Sequence, residues 1–170
     1  LLLNVSRDDI VFCQSFTFVA SANPILYQGA TPVFIDSEPN TWNISPVALR
    51  RALSYYKKIG KLPKAIIIVH LYGRCANMKQ IMNISNEFGI PIIEDAAESF
   101  GALYQGEHSG TIGKFGVFSF NGNKIITTSG GGALVSYDEA LIKKARFLST
   151  QSKDPALHYE HSEIGYNYRM

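Results

Sequence analysis

One lysine in the sequence has neighbours that favour covalent chemistry. Lys124 is the only charged residue between Phe115 and Tyr137, and the residues around it are apolar, hydroxyl-bearing or glycine. Partial desolvation favours the neutral form of an amine, which is the form that attacks a carbonyl to give a Schiff base. The alternative is an exposed lysine on a turn between two strands, and composition alone favours this alternative.

Two further segments carry acidic and aromatic side chains. Asp95 and Glu98 are separated by two alanines and follow an apolar run at 90–93, although Asp95 could equally be the N-cap of a helix. The segment Gln14–Phe18 offers hydroxyl groups and two aromatic rings. An acid, a lysine and an aromatic ring together predict a pyridoxal phosphate pocket. There the acid would keep the ring nitrogen protonated, and the lysine would bond to the cofactor.

A sheet must bring these three segments together. Short apolar runs rich in β-branched residues alternate with segments of helical period, which is typical of a mostly parallel sheet. The predicted strands are 10–13, 32–36, 65–69, 90–93, 116–120 and 132–136, and the predicted helices are 19–27, 46–58, 78–88 and 139–148. Ligands bind beyond the carboxyl ends of such strands, where the three segments lie. We predict an α/β fold with three layers, α/β/α.

Composition excludes several classes of protein. Hydrophobic residues make up 46% of the 170 residues, and the formal net charge is only +2, which argues against disorder and against a dedicated nucleic-acid-binding protein. The longest apolar run, Ala65–Val69, is too short to span a membrane. The two cysteines cannot form a disulfide framework, so we expect a cytoplasmic protein. The first and last residues carry no start or stop signal, so we expect a fragment.

Six segments of the sequence closely resemble the nucleotide-sugar aminotransferases of the DegT/DnrJ/EryC1/StrS family, which have the aspartate aminotransferase fold. The segments are Ser15-Phe-Thr-Phe-Val-Ala-Ser21, Gly29-Ala-Thr-Pro-Val-Phe-Ile-Asp36, His70-Leu-Tyr-Gly73, Glu94-Asp-Ala-Ala-Glu98, Gly116-Val-Phe-Ser-Phe-Asn-Gly-Asn-Lys124 and Gly165-Tyr-Asn-Tyr-Arg-Met170. The resemblance implies that residues 1–170 are the central part of the large, cofactor-binding domain of a fold type I enzyme. The N-terminal phosphate-binding region and the C-terminal small domain would then be absent.

The resemblance also implies a reaction. An amino acid, expected to be glutamate, would give its amine to pyridoxal 5'-phosphate, which would pass it to the keto group of a nucleotide-linked sugar. Lys124 would be the Schiff-base lysine and would carry protons, while Asp95 would pair with the pyridinium nitrogen and Glu98 would lie near the ring hydroxyl. Residues 121–132 and 158–161 look most like enzymes that aminate a UDP-linked 4-keto-6-deoxy sugar on the bacillosamine route.

Four more cofactor-binding residues are implied by the resemblance. Phe18 would stack on the cofactor ring, with Thr17 beside it, and Ser119 would bind the phosphate. Asn167 would reach the cofactor phosphate of the neighbouring subunit, so the active site would be shared across a homodimer.

Other interpretations of the sequence remain open. The chain could be a non-catalytic folded fragment or interaction module derived from such an enzyme, in which case Lys124 would have no chemical role. His70 is either a buried structural histidine or a contact to the site. A nicotinamide-dependent enzyme is disfavoured because Gly110, Gly113 and Gly116 do not form the G-x-G-x-x-G fingerprint.

Overall fold

The computed structural model describes residues 1–167. Tyr168, Arg169 and Met170, which complete the last of the six resembling segments, lie outside the described residues. The strands are β1 (Ile10–Gln14), β2 (Thr31–Ile35), β3 (Ala65–Val69), β4 (Ile92–Asp95), β5 (Leu103–Tyr104), β6 (Glu107–His108), β7 (Phe115–Ser119) and β8 (Gly132–Val135). The helices are α1 (Asn23–Tyr27), α2 (Pro46–Lys58), α3 (Met78–Phe88) and α4 (Glu139–Ser149).

The main sheet confirms the predicted α/β architecture. Its strand order is β2-β1-β3-β4-β7-β8, in which β8 alone is antiparallel to its neighbour. Strands β5 and β6 form a separate short hairpin that was not among the predicted strands. The chain leaves β1 toward β2 on one side and leaves β3 toward β4 on the other side, so the loops after β1 and β3 diverge. In folds of this kind, ligands bind at the carboxyl edge of the sheet beside such a point.

Helices cover both faces of the sheet, as a three-layer fold requires. On the first face, Phe12, Ile66 and Ile92 pack with fully buried residues of α2 and α3. On the second face, Val11, Cys13 and Ala65 pack with Ile25 of α1. Within residues 1–167, no helix is both long enough and apolar enough to cross a membrane.

The predicted helix 19–27 is divided in the structure. A single 3-10 turn, Val19–Ser21, precedes the short helix α1. Pro24 lies in the first turn of α1, where its missing N–H costs nothing. In a continuous helix, its ring would clash with the carbonyl group of Ala20. This interruption places Ser21 at the end of a separate turn.

The helix starts follow from local capping chemistry. The side chain of Ser45 accepts a hydrogen bond from the first turn of α2, and Pro46 occupies the first helical position. Asn77 caps α3 in the same way, and Gly89 ends that helix in the left-handed conformation. These signals are read from a few neighbouring residues, which is why the observed bounds of both helices match the prediction.

Candidate functional site

The segments that follow β1, β3, β4 and β7 meet at the carboxyl edge of the sheet. Asp95, the last residue of β4, is paired in register with Val69 of β3 and with Val117 of β7. It therefore lies at the centre of this edge. The segment after β1 approaches Asp95 from the second face of the sheet, and Lys124 lies in the segment between β7 and β8.

Hydrogen bonds hold the Asp95 carboxylate from two sides. Ser21 Oγ donates to Oδ2 at 2.6 Å, and the Ala97 N–H donates to Oδ1 at 3.2 Å. Thr17 Oγ1 lies 2.8 Å from Ser21 Oγ, so Thr17 reaches Asp95 through Ser21. The residues after Asp95 form turns and no helix, so the N-cap interpretation of Asp95 is wrong.

Glu98 is the acidic partner of Lys124. The Lys124 side chain is only 16% exposed, and its Nζ lies 3.8 Å from Glu98 Oε1. Glu98 Oε2 accepts a hydrogen bond from the Tyr72 N–H at 2.9 Å. Tyr72 has a φ of 51°, a left-handed conformation that a bulky residue rarely adopts, so the turn that fixes Glu98 carries backbone strain. The expectation of an exposed lysine on a turn does not fit this mostly buried side chain.

The remaining predicted residues lie in three places. Phe18 is 74% exposed and stands directly before the turn that carries Ser21, whose N–H donates to the Phe18 carbonyl group at 3.1 Å. Ser119 ends β7, and its Oγ accepts a hydrogen bond from the Asn121 N–H at 3.4 Å. Asn167 is exposed and follows Tyr166, whose N–H binds the Leu148 carbonyl group near the end of α4. The predicted role of Asn167 involves a second subunit and stays a prediction.

Two linked pairs therefore lie at the two ends of one short turn. Asp95 with Ser21 stands at the start of the turn, and Glu98 with Lys124 stands at its end. An acid, a mostly buried amine and an exposed aromatic ring are the groups that a protonated pyridine ring with a reactive aldehyde needs. The side chains present at this edge therefore fit pyridoxal phosphate.

A third acidic residue, Glu94, anchors the site from the opposite face of the sheet and was not predicted as functional. Glu94 is fully buried and lies on the first face of the sheet, because successive residues of a strand point to opposite faces. Its carboxylate accepts hydrogen bonds from the ring of His70 and from three backbone N–H groups, those of Gly110, Ile112 and Gly113. Glu94 thus joins the loop after β3 to the loop before β7.

Hydrogen bonds to both ring nitrogens fix the orientation of His70. The Ala76 N–H donates to Nδ1 at 3.2 Å, so Nδ1 carries no proton. In the tautomer that fits this contact, the ring proton lies on Nε2, which donates to Glu94 Oε2 at 2.8 Å. His70 is fully buried. Of the two interpretations left open by the sequence, the structural one is correct.

Two buried groups near the site have shifted pKa values. Burial raises the pKa of Glu94, but the hydrogen bonds from His70, Gly113 and Gly110 outweigh it, so the net pKa lies below its ordinary value. Burial, followed by the negative charge of Asp95, raises the pKa of the Cys13 thiol to about 12. Cys13 therefore stays neutral beside Asp95 at physiological pH.

Known proteins resemble this chain over its whole length. The model of the DegT/DnrJ/EryC1/StrS aminotransferase family matches residues 1–170. EpsN of Bacillus subtilis (strain 168), provisionally described as a pyridoxal phosphate-dependent aminotransferase, is 66% identical over 169 residues, which are 99% of this chain and 44% of EpsN. GDP-perosamine synthase of Escherichia coli O157:H7 is 41% identical over 170 residues, or 100% of this chain and 45% of the synthase.

A solved structure shows the same fold. The crystal structure of a DegT DnrJ EryC1 StrS aminotransferase from Brucella abortus superposes with a TM-score of 0.89 at 36% sequence identity. The match covers 96% of this chain and 44% of that protein. The chain thus spans less than half the length of the relatives that it matches.

Proposed function

Because the chain belongs to the DegT/DnrJ/EryC1/StrS aminotransferase family, we propose that it contributes the catalytic residues for amino transfer from an amino acid to a nucleotide-linked keto sugar. The observation that carries this proposal is the turn 95–98, which holds Asp95 with Ser21 at one end and Glu98 with Lys124 at the other. An acid and a mostly buried amine at the carboxyl edge of a parallel sheet are suited to pyridoxal phosphate chemistry.

Asp95, Glu98 and Lys124 have different roles in this proposal. Pyridoxal phosphate, when bound, supplies the electron sink for amino transfer. Asp95, held by Ser21 and Ala97, keeps a proton on a ring nitrogen. Lys124 takes and returns a proton at Nζ as a general base and acid, and Glu98 holds the ammonium form between these steps. Because the Lys124 side chain is largely buried, water competes little for these protons.

The other predicted residues complete the site in this proposal. The exposed ring of Phe18 covers the cofactor, and Ser119 binds its phosphate together with residues of the neighbouring subunit, among them Asn167. Thr17 acts through Ser21. These roles imply a homodimer, and they treat residues 1–170 as the central part of a larger cofactor-binding domain. The share of its relatives that the chain spans, 44% and 45%, is consistent with a chain that is one part of a longer enzyme.

The substrate proposal is more specific than the family. We favour a UDP-linked 4-keto-6-deoxy sugar and glutamate as the amino donor, on the resemblance of residues 121–132 and 158–161. The relative from Escherichia coli carries the name of a GDP-sugar enzyme, so the assay must compare both nucleotides. The assay follows the formation of 2-oxoglutarate from glutamate. Its rate with a UDP-linked keto sugar, compared with the rate with a GDP-linked keto sugar, shows which nucleotide the chain prefers.

The first experiment tests Lys124. The purified chain is incubated with pyridoxal phosphate and reduced with borohydride, and the adduct is located by peptide mass measurement. We expect an adduct on Lys124 in the wild-type protein and none at that site in Lys124→Ala. Lys143→Ala is the matched control, because Lys143 is exposed and pairs only with Glu139 on the same helix in the part of the chain that is described.

Each result has a defined meaning. Equal adduct levels in wild type and Lys124→Ala would show that labelling is unspecific, and the role of Lys124 would be wrong. Absence of any adduct in the wild-type chain would contradict the proposal that these residues bind the cofactor by themselves, and would favour the non-catalytic module. Loss of the adduct in Lys143→Ala would point to a general folding defect.

A further inference from the structure

A chain of two hydroxyl groups, those of Thr17 and Ser21, leads to the carboxylate of Asp95. Thr17 Oγ1 lies 2.8 Å from Ser21 Oγ, and Ser21 Oγ lies 2.6 Å from Asp95 Oδ2. An ionised carboxylate only accepts hydrogen bonds, so the Ser21 hydroxyl must donate its proton to Asp95. That leaves Ser21 Oγ as an acceptor toward Thr17, which therefore donates. The direction of both hydrogen bonds is fixed by this chemistry.

The backbone holds Ser21 in a position that is shielded from solvent. Ser21 is 5% exposed, so solvent has little access to its hydroxyl group. It ends the turn that begins after Phe18, because Pro24 prevents this turn from continuing as one helix with α1. The same turn therefore determines the positions of the exposed Phe18 ring and of the Ser21 hydroxyl.

We infer that Ser21 is a positioning residue, whose hydroxyl group, oriented by Thr17, sets the direction in which Asp95 presents its free lone pairs to a cofactor ring. Ser21 binds one carboxylate oxygen and the Ala97 N–H binds the other. Rotation of the carboxylate would break both hydrogen bonds at once. The inference rests on the proposed function, since Asp95 acts on a ring nitrogen only in that proposal.

The two hydrogen bonds are unequal. The bond from Ser21 is 0.6 Å shorter than the bond from Ala97, 2.6 Å against 3.2 Å, and a short hydrogen bond to a charged oxygen is the stronger kind. Without the Ser21 hydroxyl, the longer bond alone would hold the half-buried carboxylate. We therefore expect the carboxylate of Ser21→Ala to rotate, with water replacing the lost donor.

The test uses two readouts on four variants. Crystal structures of the cofactor-free wild type and Ser21→Ala show the orientation of the Asp95 carboxylate. Titration with pyridoxal phosphate measures the dissociation constant of the cofactor for each variant. Ser21→Thr restores a hydroxyl group, and Thr17→Val removes only the donor to Ser21. Ser99→Ala is the matched control, because Ser99 is buried like Ser21 but its Oγ has no hydrogen-bond partner within residues 1–167.

We expect a rotated Asp95 in Ser21→Ala and about tenfold weaker cofactor binding, the lower end of what one hydrogen bond to a charged group contributes. Ser21→Thr and Ser99→Ala should bind as wild type does, and Thr17→Val should fall between. An unrotated carboxylate in Ser21→Ala would overturn the inference. So would equal losses in Ser21→Ala and Ser99→Ala, which would indicate loosened packing. If Ser21→Ala fails to fold, Thr17→Val decides in its place.

The inference and the proposed function fail in different ways. If the wild-type chain binds no pyridoxal phosphate, the proposed function of the chain fails. The orientation of Asp95 in the cofactor-free crystals still decides whether Ser21 is the positioning residue. If the wild type binds the cofactor and Ser21→Ala binds it equally well, the inference alone is wrong.

Discussion

Replacing Glu94 by glutamine tests how much the hydrogen bonds of this buried carboxylate stabilise the fold, because the two side chains have almost the same volume. In the wild-type protein, Oε1 accepts from Ile112 and Gly113, and Oε2 accepts from His70 and Gly110. Glutamine keeps one oxygen and replaces the other by an NH2 group, which can only donate. Each carboxylate oxygen accepts two hydrogen bonds in the wild type. Whichever oxygen the NH2 group replaces, the two N–H donors that bound it therefore lose their acceptor and face another donor.

His70 cannot relieve this conflict by moving its proton. If the proton moved to Nδ1, Nε2 could accept from the amide, but Nδ1 would then face the Ala76 N–H as a second donor. Each buried donor without a partner costs about 1–3 kcal/mol, so two cost about 4 kcal/mol. Domains of this size are stable by about 5–15 kcal/mol, so Glu94→Gln should lose a large part of the stability of the protein.

The assay is urea unfolding followed by circular dichroism. We expect a fall of about 4 kcal/mol in the free energy of unfolding, which corresponds to a shift of about 2 M in the urea midpoint at an unchanged slope. Glu87→Gln is the matched control, because Glu87 pairs with Arg50 at the surface and both side chains are about half exposed, 53% and 48%. The control should lose less than about 1 kcal/mol. An equally small loss in Glu94→Gln would refute the assignment of four hydrogen bonds to this carboxylate.

Two further predictions concern the same anchor. The pKa of Glu94 is lower in the folded chain than its ordinary value near 4.3, so its contribution to stability is present above about pH 4.3 and is lost as the pH falls through the folded pKa. Unfolding free energy measured from pH 6 downward should therefore fall more steeply for wild type than for Glu94→Gln, and parallel curves would contradict this. In Gly116→Ala, the added Cβ would lie 1.8 Å from the Gly110 carbonyl oxygen. This clash must displace the loop that binds Glu94. Thermal unfolding should show a loss of about 3 kcal/mol or more. Gly122→Ala, whose Cβ would meet nothing within 4 Å, should change stability by less than about 0.5 kcal/mol, and similar losses in the two variants would argue against this packing.

Local sequence patterns predicted the elements of the fold well. The continuous run Ala65–Val69 is a strand with the predicted bounds, and α2 begins after its Ser45 cap as expected. Such patterns depend on residues within one or two turns of each other. The strand predicted at 90–93 begins two residues later in the structure, at Ile92, and extends through Asp95. Pro91 lacks the N–H that a central strand needs.

Other features of the site depend on which strands are neighbours. Glu94 and Asp95 are an adjacent acidic pair in the sequence, but they point to opposite faces of β4. Only the packing shows that Glu94 is enclosed by backbone N–H groups while Asp95 faces Ser21. Gly116 is in register with Glu94, and the space left by its missing side chain admits the Gly110 loop. No local sequence pattern predicts that Gly116 and the Gly110 loop lie in contact.

The sequence by itself determined the element types, the parallel architecture and the residues from which a cofactor site could be built, because these are encoded in short-range periodicity and in residue chemistry. The tertiary structure decided which hydroxyl group holds Asp95, which acid neighbours Lys124 and which groups bind the ring of His70. Ser21 and Asp95 are 74 residues apart in the chain and come within 2.6 Å of each other only because the sheet places the ends of β1 and β4 at the same edge. A hydrogen bond acts over about 3 Å, so its partners are determined by the folded arrangement of the strands.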